Sequence, residues 1–254
     1  MSQAEGAGSR SFQVLDHRST DLGDLLLRRR AVLSLGGRPV WEITLDGRLL
    51  MSSLVNDSER ALAHLGLDEL EGRPCSVLVG GLGLGSTARE VLSRSEVRRL
   101  VVIELLEPVL DWHRRGLVPD SEELQADPRC ELRLGDFFKA MATTPTERWD
   151  AILLDIDHSP GVLLRGSPAE FYRRSGLQRL AEHLAPDGVF ALWSADPADQ
   201  DFLTELRAVF TGVRACDLVF DNPMFDTPDH NTVYVARRRP PPKKASANAA
   251  PLDT

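Results

Sequence analysis

From residue 76 onward, short apolar-rich runs alternate with amphipathic segments. The runs at 76–79, 100–103, 131–134, 151–154 and 188–193 are typical of strands buried on both faces of a sheet. Helical periodicity predicts helices from 107, over 167–184 and over about 198–210. Two closing runs, 214–220 and 232–236, follow each other without a helix and should pair antiparallel. The pattern predicts a Rossmann-like α/β fold. Its mostly parallel seven-stranded sheet has helices on both faces and one antiparallel strand.

The N-terminal part has a different pattern. Three apolar-rich runs between Leu25 and Ser53 are separated by Gly36-Gly37 and Asp46-Gly47, which predict a small antiparallel β-meander. Asn56 and Glu59 have the spacing of a helix cap, so a helix is expected through about Leu70. We expect a disordered N-terminus at 1–10, the β-meander at 11–55, a ligand-binding catalytic domain at 56–238 and a disordered Pro/Ala-rich tail at 239–254.

Composition and charge narrow the possible partners. A net charge of −8 disfavours a nucleic-acid partner. Three cysteines without CxxC spacing, and histidines without ligand spacing, predict neither disulfides nor a metal site. His113 and His183 lie on predicted helices and are expected to be surface or satisfied residues. No run approaches the roughly 20 apolar residues of a membrane helix, and the N-terminus lacks a signal-peptide core. We therefore expect a cytoplasmic protein with no membrane partner.

The segment 77–104, VLVGGLGLGSTAREVLSRSEVRRLVVIE, has the order strand, glycine turn, helix, strand, acid. Gly81, Gly83 and Gly85 allow close approach of a ligand to the backbone. Thr87 and Glu90 have capping-box spacing, which would direct helix N–H groups toward the turn. Glu104 lies at the usual distance for an acid that accepts bonds from ribose hydroxyls. The segment therefore predicts a nucleoside ligand, and the missing Lys-Ser/Thr ending disfavours a nucleotide triphosphate.

Carboxylates follow three successive predicted strands: Glu104, Asp136 and Asp155. Ligands of open α/β sheets bind at the carboxyl ends of the strands, so these acids are candidate site residues. The structural alternative is helix N-capping, which applies above all to Asp136. Trp193, at the end of the 188–193 run, is expected to be in the core more often than in a pocket.

Several segments together resemble the spermidine synthase family of polyamine aminopropyltransferases, which has the class I S-adenosylmethionine-dependent methyltransferase fold. The segments are VLVGGLGLGSTAREVL, VVIELLEPVL, LRLGDFF, DAILLDIDHSP and SPAEFY, and the similarity extends from about Leu25 to Ala236. The resemblance implies a homodimer in which the glycine loop and Glu104 hold the nucleoside. It also implies an adenine site at Asp136 and Phe137, and it places Asp155 on the first aspartate of the family's active-site Asp-x-x-Asp pair.

The chain departs from that family in the part of the site that holds amines. Leu84 stands where the glycine loop has an aspartate that contacts the cofactor amine. His158 stands where the second aspartate of the pair is expected, and Ser58-Glu59-Arg60 lies near the family's Tyr-His-Glu. These departures favour S-adenosylmethionine itself as cofactor.

The first hypothesis is therefore methyl transfer to a small-molecule nucleophile, an amine, with Asp155, Asp157 and His158 as catalytic residues. The alternatives are aminopropyl transfer from decarboxylated S-adenosylmethionine and a non-catalytic nucleoside-binding protein.

Overall fold

The computed structural model describes residues 11–156, 158–164, 168–224 and 227–239. The segments expected to be disordered lie outside these ranges, except for Arg239. The strands are β1 (Phe12–Thr20), β2 (Gly23–Val32), β3 (Arg38–Leu45), β4 (Arg48–Ser52), β5 (Cys75–Gly80), β6 (Val97–Glu104), β7 (Cys130–Leu134), β8 (Trp149–Leu154), β9 (Leu184–Ser194), β10 (Phe210–Phe220) and β11 (Asp229–Arg238). The helices are α1 (Asp57–Asp68), α2 (Ser86–Leu92), α3 (Glu107–Arg114), α4 (Ser121–Ala126), α5 (Phe137–Ala142), α6 (Arg174–His183) and α7 (Gln200–Val209).

The larger sheet has the strand order β10-β11-β9-β8-β5-β6-β7. Strand β5 pairs in parallel with β6 and β8, while β11 is antiparallel to both of its neighbours. This confirms the predicted seven-stranded α/β fold with one antiparallel strand. The chain leaves β5 toward β6 and β7 and later returns to its other side as β8, so strand order reverses at β5. Such a switch point leaves a crevice beyond the carboxyl ends of the strands.

Side chains of the central strands alternate between two hydrophobic layers. Val77 and Val79 of β5 pack on one face with α1, α2 and α3, while Leu78 faces the other layer with Phe190 and Leu180. Each of these residues is at most 1% exposed. This burial on both faces explains why the strands are continuous apolar runs rather than alternating ones.

The smaller sheet has the order β1-β2-β3-β4, with antiparallel neighbours. The hairpin predicted at Asp46-Gly47 is present, with φ of +49° and +76° at the two positions. The sequence pattern missed β1, because the alternation in FQVLDHRST is weak. Leu25, Leu27 and Ile43 are fully or almost fully buried in the core shared with β5. The meander therefore shares a hydrophobic core with the larger domain, and Trp112 of α3 donates a hydrogen bond to Asp16 of β1.

Several predicted helical features differ in the structure. The predicted 167–184 helix is divided into a 3₁₀ turn over Ala169–Tyr172 and helix α6, and Arg173 between them is extended. Phe171 and Tyr172 are each 5% exposed and insert into the core at this break. The short helices α4 and α5 were not predicted, since six residues carry little periodicity.

No helix in the described ranges is long and apolar enough to cross a bilayer.

Candidate functional site

A cavity of about 180 Å³ opens where the parallel strands of the larger sheet end. It is lined by the segments that follow β5, β6, β7 and β8, and by Trp193 of β9. Ile43, Leu50 and Met51 of the smaller sheet line it from the opposite direction. The cavity thus occupies the crevice at the switch point, where α/β proteins bind their ligands.

The glycine loop after β5 forms the central wall of this cavity. Gly81 and Gly83 line it directly. Gly81 has φ of +95°, and a Cβ at this position would collide with the carbonyl oxygen of Asp155. Only glycine allows the loop to pass so close to the end of β8. Gly85 packs elsewhere: a Cβ there would lie 2.9 Å from Cδ1 of Leu124 on α4. Its predicted cofactor contact stays a prediction.

Glu104 ends β6 and lines the cavity with only 7% of its surface exposed. Its Oε2 accepts a hydrogen bond from the Leu82 N–H (2.9 Å), and its Oε1 accepts one from the Leu106 N–H (2.7 Å). Burial raises the pKa of Glu104, and these backbone hydrogen bonds offset part of that effect. The carboxylate therefore fixes the shape of the glycine loop, and its contact with a ribose stays a prediction.

Asp136 caps a helix and also lines the cavity, while its contact with an adenine stays a prediction. Its Oδ1 accepts a hydrogen bond from the Lys139 N–H (3.1 Å), which caps α5, and the same residue lines the cavity. Phe137 also lines the cavity but is only 2% exposed, and it packs edge-on against Phe138 and Phe171. Most of the Phe137 ring therefore belongs to the core, and an adenine ligand could contact little of it.

Asp155 follows β8 and is held by a residue from the opposite side of the glycine loop. Thr87 donates a hydrogen bond from Oγ1 to Oδ2 of Asp155 at 2.6 Å. The predicted capping box of α2 is absent, because the Thr87 hydroxyl is directed to Asp155 and Gly85 is the N-cap residue. Burial raises the pKa of Asp155, and the Thr87 hydrogen bond opposes that shift.

Glu59 is a cavity residue that the sequence analysis did not select. It lies in the first turn of α1, where a capping role with Asn56 was expected, yet the Asn56 side chain makes no capping hydrogen bond. Glu59 lines the cavity instead, and Ser58 donates a hydrogen bond from Oγ to it at 2.7 Å. Burial and the charge of Asp155 raise the pKa of Glu59 to about 7. The two carboxylates are therefore close enough to repel each other. The signal that could have found Glu59 was its position on the family's Tyr-His-Glu segment.

His158 and Trp193 form the side of the cavity nearest β9. Their rings are in edge-to-face contact with centroids 6.3 Å apart, and both residues line the cavity. Trp193 donates from Nε1 to Oδ1 of Asn231 at 3.1 Å. It is half-buried, so it packs against the hydrophobic core and also lines the cavity. The third catalytic candidate, Asp157, lies outside the described residues.

The charge on the cavity wall is one-sided. Glu59, Glu104, Asp136 and Asp155 contribute carboxylates, and no described residue of the lining is lysine or arginine. Leu84, the departure that favoured S-adenosylmethionine, is 5% exposed and packs in the core with Ala88 and Val91. The site therefore suits a cationic ligand, and it offers no cationic side chain among the described residues to receive a carboxylate.

In the described ranges, no group of three or more His, Cys, Asp or Glu side chains could hold a metal ion.

The family model for the spermine/spermidine synthase domain matches residues 57–222. Polyamine aminopropyltransferase 2 of Streptomyces coelicolor is 34% identical over 166 residues, which are 64% of this chain and 28% of that protein. Polyamine aminopropyltransferase 2 of Pseudomonas aeruginosa is 31% identical over 149 residues, or 56% of this chain and 41% of that protein. The chain thus spans less than half the length of these two curated relatives.

Solved structures support the fold. Spermidine synthase from Thermotoga maritima superposes with a TM-score of 0.67 at 22% identity, covering 91% of this chain and 75% of that one. A spermidine synthase in complex with the transition state analogue AdoDATO also gives a TM-score of 0.67, at 21% identity, covering 91% and 74%. At these identities the likeness shows the shared architecture alone.

These matches contradict methyl transfer as the main hypothesis. The matching family model is named for spermine and spermidine synthases, and both curated relatives are named polyamine aminopropyltransferases. The hypothesis drew on Leu84 and on the changed amine-binding segments, and its argument from Leu84 fails because the Leu84 side chain packs in the core. The match to residues 57–222 covers well over half of the chain, and the chain therefore belongs to the spermine/spermidine synthase family.

Proposed function

We propose that the protein transfers an aminopropyl group from decarboxylated S-adenosylmethionine to an amine. The observation that carries this proposal is the pair of acids Glu59 and Asp155 in the cavity, where the charge of Asp155 helps to raise the pKa of Glu59. Two buried acids that repel each other gain most from a cation placed between them. The protonated amine of an acceptor is such a cation.

The lining also favours the decarboxylated cofactor. S-adenosylmethionine carries an α-carboxylate, which needs a cationic or N–H partner when buried. The described lining contains four carboxylates and neither lysine nor arginine. Decarboxylated S-adenosylmethionine lacks the α-carboxylate and keeps the amine, so it avoids the charge repulsion that S-adenosylmethionine would meet in this cavity. Support for the nucleoside end comes from the glycine loop, Glu104 and Asp136, with Gly81 and Gly83 providing the close approach.

The chemistry is an in-line displacement. The bound cofactor supplies a sulfonium: the amine nitrogen forms a bond to the propyl carbon, the sulfur–carbon bond breaks, and the sulfur keeps the electron pair as a neutral thioether. The protein must then orient the amine and accept one proton from it. Orientation of the reactants can supply roughly 7–11 kcal/mol of the barrier.

Within this proposal Asp155 binds the reacting ammonium, with Thr87 fixing the direction of its Oδ2. Asp155 also accepts the proton that the amine must lose before attack, and Glu59, which lines the cavity beside it, helps to hold the ammonium. His158 and Trp193 line the part of the cavity that receives the end of the acceptor far from its reacting amine. Asp157 remains a candidate helper next to His158 in the sequence.

Product mass spectrometry tests the proposal. The purified chain is incubated with decarboxylated S-adenosylmethionine or S-adenosylmethionine, each with 1,4-diaminobutane, spermidine or butylamine. We expect aminopropylated amine and 5′-methylthioadenosine with the decarboxylated cofactor alone. A methylated product, or tight nucleoside binding without turnover of either cofactor, would overturn the proposal. The role of Asp155 is tested with the variant Asp155→Asn. Its control is Asp217→Asn, which changes an exposed acid on edge strand β10.

The division into a meander at 11–55 and a catalytic domain at 56–238 also remains a proposal, as do the homodimer and the cytoplasmic location. The exposed Phe12 and Val14 on the outer strand of the smaller sheet, 52% and 48% exposed, support an association of two copies there. Sedimentation of the wild type and of Phe12→Ser checks the dimer.

A further inference from the structure

His113 lies directly beneath the glycine loop, although the sequence predicted a surface or satisfied residue. It is on α3 and 0% exposed. Its Nε2 is 2.9 Å from the carbonyl oxygen of Gly83. Because a carbonyl oxygen only accepts, Nε2 carries the proton and the Gly83 carbonyl points away from the cavity into the protein. Cε1 of the same ring would be 3.0 Å from a Cβ on Gly85. The imidazole thus contacts two residues of the loop.

The other nitrogen of the ring, Nδ1, has no hydrogen-bond partner among the residues that the structure describes. With Nε2 protonated, Nδ1 is an acceptor, and it is buried without a hydrogen bond in the structure. A buried unpaired acceptor destabilises the fold, and a leucine in this space would avoid that cost. What the imidazole adds over an apolar side chain is the Nε2–H donor. Burial also lowers the pKa of His113, which keeps the ring neutral.

The loop needs such a donor because regular secondary structure does not hold it. Gly81, Gly83 and Gly85 all have positive φ, so this segment is neither helix nor strand. Glu104 holds the loop from the cavity side through the N–H group of Leu82. His113 holds the Gly83 carbonyl from the core side. The glycine loop is therefore held from two directions, at the Leu82 N–H by Glu104 and at the Gly83 carbonyl by His113.

We propose that His113 is a positioning residue for the cofactor, whose Nε2–H fixes the Gly83 peptide so that the glycine loop is formed before the nucleoside binds. His113 does not touch the ligand. This inference rests on the proposed function, since it assigns the nucleoside to this loop. It predicts that His113 sets nucleoside affinity and leaves the chemical step alone.

Two amide substitutions separate the donor from the space it fills. In His113→Gln the side-chain NH₂ stands as many bonds from Cα as Nε2 does, so it can still donate to Gly83. In His113→Asn the amide is one bond shorter and does not reach. His183 gives a matched control: it is 5% exposed and its Nε2 is 3.0 Å from the Thr143 carbonyl oxygen, away from the cavity.

The experiment is calorimetry with 5′-methylthioadenosine, together with steady-state kinetics. We expect His113→Asn to weaken nucleoside affinity about tenfold or more, as loss of one pre-organising hydrogen bond allows. His113→Gln should stay within about threefold of the wild type. KM for the cofactor should follow affinity while kcat changes little, and His183→Asn should lower the melting temperature without changing affinity. Equal affinity in the Asn and Gln variants would overturn the inference.

A second readout does not need the ligand. Hydrogen exchange of the 80–86 segment in the free protein should be faster in His113→Asn than in His113→Gln or the wild type. If the wild type fails to bind the nucleoside, the proposed function fails. The exchange rates then decide the role of His113 independently, and equal rates in the two variants would contradict it.

Discussion

The two halves of the cavity use acidic residues in opposite ways. On the side of β6, Glu104 is 7% exposed, and two backbone N–H groups occupy its oxygens. On the side of β8, Asp155 has the Thr87 hydroxyl as its hydrogen-bond donor and the neighbouring Glu59 as a repelling charge. One acid is satisfied by the protein itself. The other pair stabilises the fold poorly and gains from a bound cation.

This contrast separates an acid that fixes the shape of the cavity from acids that give the cavity its negative charge. In the proposed function Glu104 acts on the loop that surrounds the nucleoside, so its loss should change binding and stability together. In the same proposal the Glu59–Asp155 pair acts on the acceptor, so its loss should change turnover while the fold keeps or gains stability. Natural sites commonly combine a rigid scaffold with a destabilised reactive group. The variants below test whether the two halves can be separated in this way.

The largest effect is expected for Asp155→Asn. The amide cannot bind the ammonium or share its proton, so kcat should fall on the order of 10²–10⁴-fold, the range for loss of a general base. Affinity for 5′-methylthioadenosine should stay within about threefold, as expected of a group that touches only the acceptor. Single-turnover kinetics and calorimetry measure both. Turnover at the level of the Asp217→Asn control would remove Asp155 from the mechanism.

Glu104→Gln should show the reverse separation. Its NH₂ group would face the N–H of Leu82 or Leu106, so one hydrogen bond to a charged acceptor, about 1.5–3 kcal/mol, is lost. We expect nucleoside affinity to fall about 10–100-fold and the unfolding free energy to fall with it. Calorimetry and denaturant unfolding provide the measurements. If Glu104→Gln keeps its nucleoside affinity while its kcat falls strongly, the two halves of the cavity do not have separate roles.

Glu59→Gln should change the pH dependence of stability. The folded-state pKa of Glu59, about 7, is above the ordinary value of 4.5 for a glutamate side chain. Below pH 4.5 both states of the wild type hold the proton, and no free energy is lost. As pH rises from 4.5 through 7, the unfolded state releases the proton more readily, so the wild type loses stability, on the order of 1–3 kcal/mol.

The Gln variant cannot ionise and lacks this loss. Its unfolding free energy should therefore exceed that of the wild type by an amount that grows from pH 4.5 to 7 and then levels off. KM for the amine should rise about tenfold at the same time. Parallel stability curves of the two proteins over this pH range would contradict the shifted pKa of Glu59. Urea unfolding at five pH values is sufficient.

The sequence was sufficient for the sheet and for the acids at its strand ends. Apolar runs such as 151–154 and 188–193 identify strands buried on two faces, and the acid after a strand lies at the ligand edge by topology. Glu59 could not be placed in this way, because its position depends on how α1 packs beside the end of β8. Local spacing suggested a cap for it, and tertiary packing decided otherwise.

Leu84 and His113 are two further residues whose side-chain positions could not be predicted from the sequence pattern. Alternation within the glycine loop cannot say which side chains face the ligand, since each positive φ turns the chain. Leu84 therefore suggested a change of cofactor although it packs in the core. His113 was dismissed although it is buried against Gly83 and Gly85. The direction of the Leu84 side chain has no sequence period because it lies in a glycine-rich segment, whereas the position of His113 depends on how α3 packs against the loop.

The smallest effect is expected at His158, which is exposed at the acceptor end of the cavity. His158→Asp places a carboxylate near the far end of the acceptor, and an exposed charge pair is worth about 0.2–1 kcal/mol. The kcat/KM for 1,4-diaminobutane should therefore rise no more than about fivefold, and the gain should disappear in high salt. Butylamine, which lacks the second ammonium, is the matched substrate and should show no gain. An equal gain for both amines would mean that residue 158 acts on the reacting end of the acceptor, beside Asp155. The side of the cavity nearest β9 would then take part in the chemical step rather than in selection of the amine.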